Sequence, residues 1–195
     1  EIQKKYSQRK WIITTAIIVL LIAAFFIFKN FYAAPEFTAE KSVAILPFEN
    51  TGPDKSEEYI SDGITQDIIN NLSKVASLQK VIGWFSVRTF KKTTKTIKQI
   101  ADELSVSSIL TGSIQRQGDK IHVIAELLVV STGKQLWSED YDYNSKDLLS
   151  IQSIVAGEIV KALQANLTAE EKKGISKHYT ENVEAYKFYR KGRWF

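Results

Sequence analysis

Side chains able to do chemistry are sparse in this sequence, and one group of them falls at residues 140–144. Asp140, Asp142 and Asn144 alternate with Tyr141 and Tyr143, so oxygen donors recur at every second position, as at the opening of a calcium loop. An EF-hand loop counted from Asp140 needs glycine at its sixth position and glutamate at its twelfth, where this chain has Ser145 and Ile151. The pattern reads instead as a polar strand end leading into a helix cap. His122 and His178 are far apart, with no ligand-spaced neighbour, and the absence of cysteine removes disulfides, thiolate metal sites and thiol nucleophiles. No G-x-x-x-x-G-K-[ST], G-x-G-x-x-G or G-x-S-x-G occurs, which removes the common phosphate cradles and the hydrolase elbow. Cyclase chemistry would need paired metal-binding aspartates on a larger fold, so it would have to sit upstream of Glu1. The residues therefore imply a non-enzymatic segment without cofactor or metal.

Two clusters remain as candidate contacts. Arg88, Lys91, Lys92 and Lys95, with Lys98 beyond them, follow Trp84, Phe85 and Phe90. Such a cluster suits a phosphate-rich surface, including lipid head groups or wall polymers; a solvated loop after a strand is the ordinary reading of a charge run. Near the end of the sequence Tyr186, Tyr189 and Trp194, with Phe195, offer an apolar surface to a partner helix. Trp84 and Trp137 are read as core or sheet-face packing.

The elements that must position these residues are organised around residues 11–28, WIITTAIIVLLIAAFFIF, which carry no charge. About 18 helical residues cover roughly 27 Å, near a bilayer's hydrocarbon thickness, and Trp11 and Tyr32 fall where aromatic belts sit. Lys4, Lys5, Arg9 and Lys10 precede the run, whereas Glu36 and Glu40 follow it. The positive-inside rule then places residues 1–10 in the cytoplasm, a membrane helix at 11–32 and the rest outside. A secretory signal peptide shares the basic flank, but its apolar region is only roughly 7–15 residues, and cleavage after Ala34 would put Tyr32 at the small position. The chain opens on Glu1 and has no methionine, as expected of an internal segment of a longer protein. Small residues Ala16, Ala23 and Ala24 would permit an anchor homodimer. The net charge of +4 belongs to the membrane flank, because five Lys/Arg against two acids fall before Phe37 and leave 21 basic and 20 acidic residues beyond it. A nucleic-acid partner is not implied.

After a linker at 33–41, with Pro35 as helix stop, the run SVAILPF at 42–48 reads as a buried strand. Ser56, Glu57 and Glu58 start a helix whose stripe is Ile60, Ile64, Ile68, Ile69, Leu72 and Val75, interrupted by Gly63 at some local cost. Residues 81–90 have strand composition, followed by a polar loop and a helix with Ile97, Ile100, Ala101 and Leu104 inside. Strands at 108–116, 120–130 and 134–141 follow, joined at Gly118 and Gly133 as an antiparallel meander. A third helix runs from Asp147 to about Leu167. The charged, apolar-poor stretch 168–181 reads as a linker, and 182–195 as a lone helix with nothing of its own to pack on.

The order βαβαβββα, with the strings SVAILPFEN (42–50), YISDGITQDI (59–68), IADELSV (100–106), LTGS (110–113), Gly118-Asp119, Thr132-Gly133, LWS (136–138) before Tyr141-Asp142, and Ile151-Gln152, resembles the TolB amino-terminal-domain-like (FlgO-like) extracytoplasmic domains. The resemblance covers residues 41–167, and NVEAYKFYRKGRWF (182–195) resembles the first helix of a tetratricopeptide array. It implies a two-layer α+β domain at 42–167, with a mixed sheet of about five strands and three helices. Such a domain is tethered outside the bacterial inner membrane, between a cytoplasmic output module and a repeat array that binds a protein partner. It carries no catalytic residue to transfer. Gly52-Pro53-Asp54-Lys55 and Ser105 depart from the family, which commonly has Ser-Gly-Asp and glycine there. The leading expectation is a non-catalytic sensor or interaction domain; the rivals are the regulatory region of a membrane nucleotide cyclase and an envelope scaffold.

Overall fold

The computed structural model describes residues 41–177, 180 and 182–194. The expected membrane helix at 11–32 lies outside them; among the described residues no helix is long and apolar enough to cross a membrane. Six strands form one mixed sheet: β1 (Ser42–Ile45), β2 (Glu49–Asn50), β3 (Lys80–Val81), β4 (Ser108–Gln117), β5 (Lys120–Val129) and β6 (Gln135–Asn144). Among the described residues six α-helices accompany it: α1 (Glu58–Leu72), α2 (Trp84–Val87), α3 (Ile97–Leu104), α4 (Leu148–Ala162), α5 (Ala169–Ile175) and α6 (Val183–Trp194). The sheet runs β3-β1-β4-β5-β6, and β2 is a second parallel partner of β4.

Strands β1 and β2 share one edge of β4 and are separated by Pro47, which has no N–H to donate. Pairing resumes at β2, where Glu49 stands opposite Ser113, and Thr51 N extends it by donating to Ile114 O at 3.0 Å. In that gap the Phe48 side chain turns inward, fully buried, over Gly112. A Cβ on Gly112 would lie 2.9 Å from the Phe48 ring and 2.3 Å from the Ile124 carbonyl oxygen, so glycine is required by close approach. The run 42–48 is thus a four-residue strand plus an anchoring ring rather than one long strand.

Strands β3 and β4 flank β1, so the connection through α1 to β3 and the return from β3 through α3 to β4 run in opposite directions along the sheet; right-handed connections then put helices on both faces. Every residue of β1 is accordingly buried. Along β5 the faces diverge: Ile121, Val123, Ala125, Leu127 and Val129 are buried, whereas His122, Ile124, Glu126 and Leu128 are half-buried. The buried face meets α1 and α4, whose Ile64, Ile68, Leu72, Ile151, Val155 and Ile159 complete the core.

Residues 81–90 differ from their strand composition. Only Lys80–Val81 pair with β1, and from Gly83 the chain coils into α2 and a 3-10 turn, Arg88–Phe90. Val87 and Phe90, three residues apart, are buried while Phe85 is 75% exposed. That is the period of a helix, which a short aromatic run does not reveal. The apolar-poor stretch after residue 167 also folds. Thr168 and Glu171 make a reciprocal capping box, and Ile175 is buried. Helix α3 ends with Ser105 at φ 52°, the left-handed cap position that favours glycine; Lys80 Nζ donates to the Leu104 and Ser105 carbonyls at 2.9 and 3.0 Å.

Candidate functional site

A polar cluster joins α6 to α1. Residues 66 and 67 lie in the middle of α1, and Tyr186 and Arg190 stand four residues apart on one face of α6, so one turn of each helix can interlock. Tyr186 Oη donates to Asp67 Oδ2 at 2.8 Å, Arg190 Nη1 donates to Gln66 Oε1 at 3.0 Å, and Arg190 Nη2 pairs with Asp67 Oδ1. Tyr186 and Arg190 are each only 7% exposed. Burial, reinforced by the Asp67 carboxylate, pushes the Tyr186 phenol far up, which keeps it a neutral donor. The Arg190 guanidinium also lies 5.2 Å and 5.6 Å from the Tyr186 and Tyr189 ring centroids. A side chain this long fits because Gly63 leaves a notch: a Cβ there would meet Arg190 Cδ at 2.9 Å.

Beside this joint opens a cleft of about 360 Å³ whose walls come from α1, α2 with its following turn, and α6. Lys91 Nζ crosses its floor to Asp62 Oδ1 at 2.6 Å and Glu58 Oε1 at 3.1 Å. Burial pushes the Asp62 carboxyl up, and the Lys91 hydrogen bond works against that rise. Arg88 and Arg193 also line the cleft, with Tyr59 and Trp84. Arg88 lies 5.1 Å from the Phe85 ring centroid, and Arg193 Nη1 donates to Tyr189 Oη at 3.0 Å.

The structure divides the basic cluster read from the sequence. Arg88 and Lys91 enter the cleft; Lys92 is exposed at φ 59°, Lys95 pairs with Glu103 at 2.5 Å and Lys98 with Asp102 at 3.0 Å. Tyr186 packs on α1 of its own domain, so the helix at 182–195 does have something to pack on. Tyr189 stays 55% and Phe188 73% exposed, and the Trp194 side chain lies outside the described residues. Asp140 and Asp142 share a face of β6, each with an oxygen 3.0 Å from His122 on β5; His178 lies outside the described residues. Trp137 is half-buried on the helix-covered sheet face, its ring centroid 6.4 Å from that of Tyr141. Asp62, Asp67, Gln66, Arg190 and Arg193 were not singled out by sequence reasoning. The available signals were a glycine inside a helical stripe and the four-residue spacing of Tyr186 and Arg190.

Residues 39–161 match the family described as HilA/YgeH-like transcriptional regulator, second domain. A curated relative from Rhizobium meliloti (strain 1021), named "Putative adenylate cyclase 3", is 38% identical over 152 residues; the match covers 78% of this chain and 26% of that protein. The chain therefore spans about a quarter of its relative's length. Among solved structures, TolB from Acinetobacter baumannii is similar with a TM-score of 0.48 at 17% identity, covering 63% of this chain and 28% of that one. Lipoprotein GNA1162 from Neisseria meningitidis is similar with a TM-score of 0.44 at 20% identity, covering 62% and 98%. The LpoB C-terminal domain from Salmonella enterica has a TM-score of 0.42 at 16% identity, covering 60% and 91%.

Proposed function

We infer the function from one premise: the chain belongs to the HilA/YgeH-like transcriptional regulator second-domain family. On our reading the segment is a non-catalytic interaction domain of a signalling protein. The helix at 11–32 anchors it in the inner membrane with the N-terminus cytoplasmic. The α+β body lies outside the cytoplasm, and α6 begins the part that meets a protein partner. The observation that carries this reading is the α1–α6 joint. The half-buried Asp67 carboxylate, held at once by the buried Arg190 and Tyr186, ties α6 to the core helix α1, so a force on α6 reaches the body without a slack linker. A domain that passes state between modules needs such a joint.

The test takes the full-length protein in intact cells. Single cysteines at Ser7 and Ser176 in this cysteine-free sequence are labelled in intact cells with a membrane-impermeant thiol reagent, and the output of an Asp67→Asn variant is measured. Labelling at Ser176 alone, with output uncoupled from the partner in Asp67→Asn, is the expected result. Protection of both cysteines until lysis would put the body inside and sink the reading. A second reading, the regulatory region of a membrane nucleotide cyclase, is favoured by the 38% identical relative. Cyclic nucleotide made by the full-length protein, and altered by Asp67→Asn, would select it.

A further inference from the structure

We propose that the cleft between α1, α2 and α6 binds a small anion carrying several acidic oxygens, of the phosphate class, and that this anion clamps α6 to the body of the domain. The proposal rests on the reading of α6 as a joint, and it starts from how the cations of the cleft are partnered. Lys91 is held by Asp62 and Glu58, and Arg190 by Asp67. Arg88 and Arg193 have no carboxylate partner among the described residues; their contacts are the Phe85 ring and the Tyr189 ring and hydroxyl. Two exposed guanidinium groups, on separate elements, thus line one cleft without a carboxylate partner of their own.

The shape suits such a ligand. About 360 Å³ lies within the range of small-molecule sites, roughly 300–1,000 Å³. The half-buried Trp84 and Tyr59 supply an apolar part of the wall, beside which attraction between an anion and a fixed cation is stronger than in open water. Asp62 does not cancel the field, because its charge is committed to Lys91 at 2.6 Å. The guanidinium fork matches phosphate oxygens two at a time. Arg88 belongs to the body and Arg193 to α6, so an anion touching both replaces their mutual repulsion with a bridge. By linkage, the ligand then holds α6 down, and docked α6 completes the ligand's site.

The probe is inorganic pyrophosphate, titrated calorimetrically into the full chain in neutral detergent and chloride buffer of constant ionic strength. One-to-one binding is expected, weakened about tenfold or more by Arg88→Gln and by Arg193→Gln, each of which loses charge-assisted hydrogen bonds. It should be unchanged in a Lys92→Gln/Lys95→Gln variant, whose residues lie outside the cleft. Pyrophosphate should also slow amide exchange across residues 183–194. Unaltered melting of the arginine variants confirms that they fold. No binding, affinity indifferent to Arg88→Gln, or equal loss in the Lys92/Lys95 variant overturns the proposal. So does binding to phosphatidylglycerol vesicles that pyrophosphate fails to displace, which would make the surface a lipid contact. The binding assay does not read signalling: binding without coupled output defeats only the functional reading above, and coupled output without binding defeats only this site.

Discussion

Asp67 is the residue on which the joint turns. It accepts from Tyr186 and pairs with Arg190, which is nearly enclosed. Removing one partner of a buried pair costs about 3–5 kcal/mol when the other must stay buried. Here the loss is capped, because α6 can lift away and return Arg190 to water. Asp67→Asn should therefore speed exchange across 183–194 while the melting of the sheet and its covering helices shifts little; equal protection of α6 in both proteins would contradict this. Glu171 has a different residue-scale signature. Its carboxylate accepts from the Ala76 N–H first and the Thr168 N–H second, which hold it below its ordinary 4.5. A carboxyl depressed in the folded state contributes stability above its unfolded pKa and loses it as pH falls through the folded one. The stability difference between wild type and Glu171→Gln should thus be flat near neutrality and shrink below about pH 4.5 in chemical denaturation. Asp62 acts in the opposite sense: raised by burial, its ionised form costs stability, and that cost is relieved as pH falls through its raised pKa.

At the scale of elements, α1 serves two neighbours at once. Its apolar stripe faces the sheet, and its Gly63–Asp67 turn receives α6. Glycine inside a helix costs about 1 kcal/mol relative to alanine, and the cost is offset by the room it gives Arg190. Gly63→Ala separates the two: α1 gains helix propensity while the new Cβ pushes on Arg190 Cδ, 2.9 Å away. The body should melt about 1 kcal/mol more stably, with faster exchange in α6, by calorimetry and exchange mass spectrometry on the same sample. Slower exchange in α6 would mean that Arg190 relaxes without undocking. The segment 81–90 carries the converse lesson. Its aromatic and β-branched content is that of a strand, but β1 offers β3 only two pairs, and burial of Val87 and Phe90 is satisfied by coiling.

For the whole molecule, β4 is the keystone, with β1 and β2 parallel on one side and β5 antiparallel on the other. Gly112 lies where all three meet, opposite the Pro47 break. Gly112→Ala would press on the backbone oxygen of Ile124 at 2.3 Å, which no side-chain rotation relieves. Overpacking of this kind costs roughly 3 kcal/mol, or about 8–10 °C in Tm for a domain of this size. The loss should be global: every core amide exchanges faster, in contrast to the local response of Asp67→Asn.

The long amphipathic helices, the three-strand meander and the main inward-facing residues were legible in the sequence, because period and turn chemistry are local properties that burial on one face imposes. The α+β class follows from them. Short and low-contrast elements were not legible: β2 has two residues, α2 follows strand-like composition, and α5 is held by a capping box in a stretch with little apolar signal. The cleft belongs to tertiary structure alone. Asp62 and Asp67 are ordinary helix-surface carboxylates in sequence, and Arg190 lies more than 120 residues from its partners. Only the docking of α6 on α1 decides which charges are paired, which are buried and which two arginines are left facing the same space.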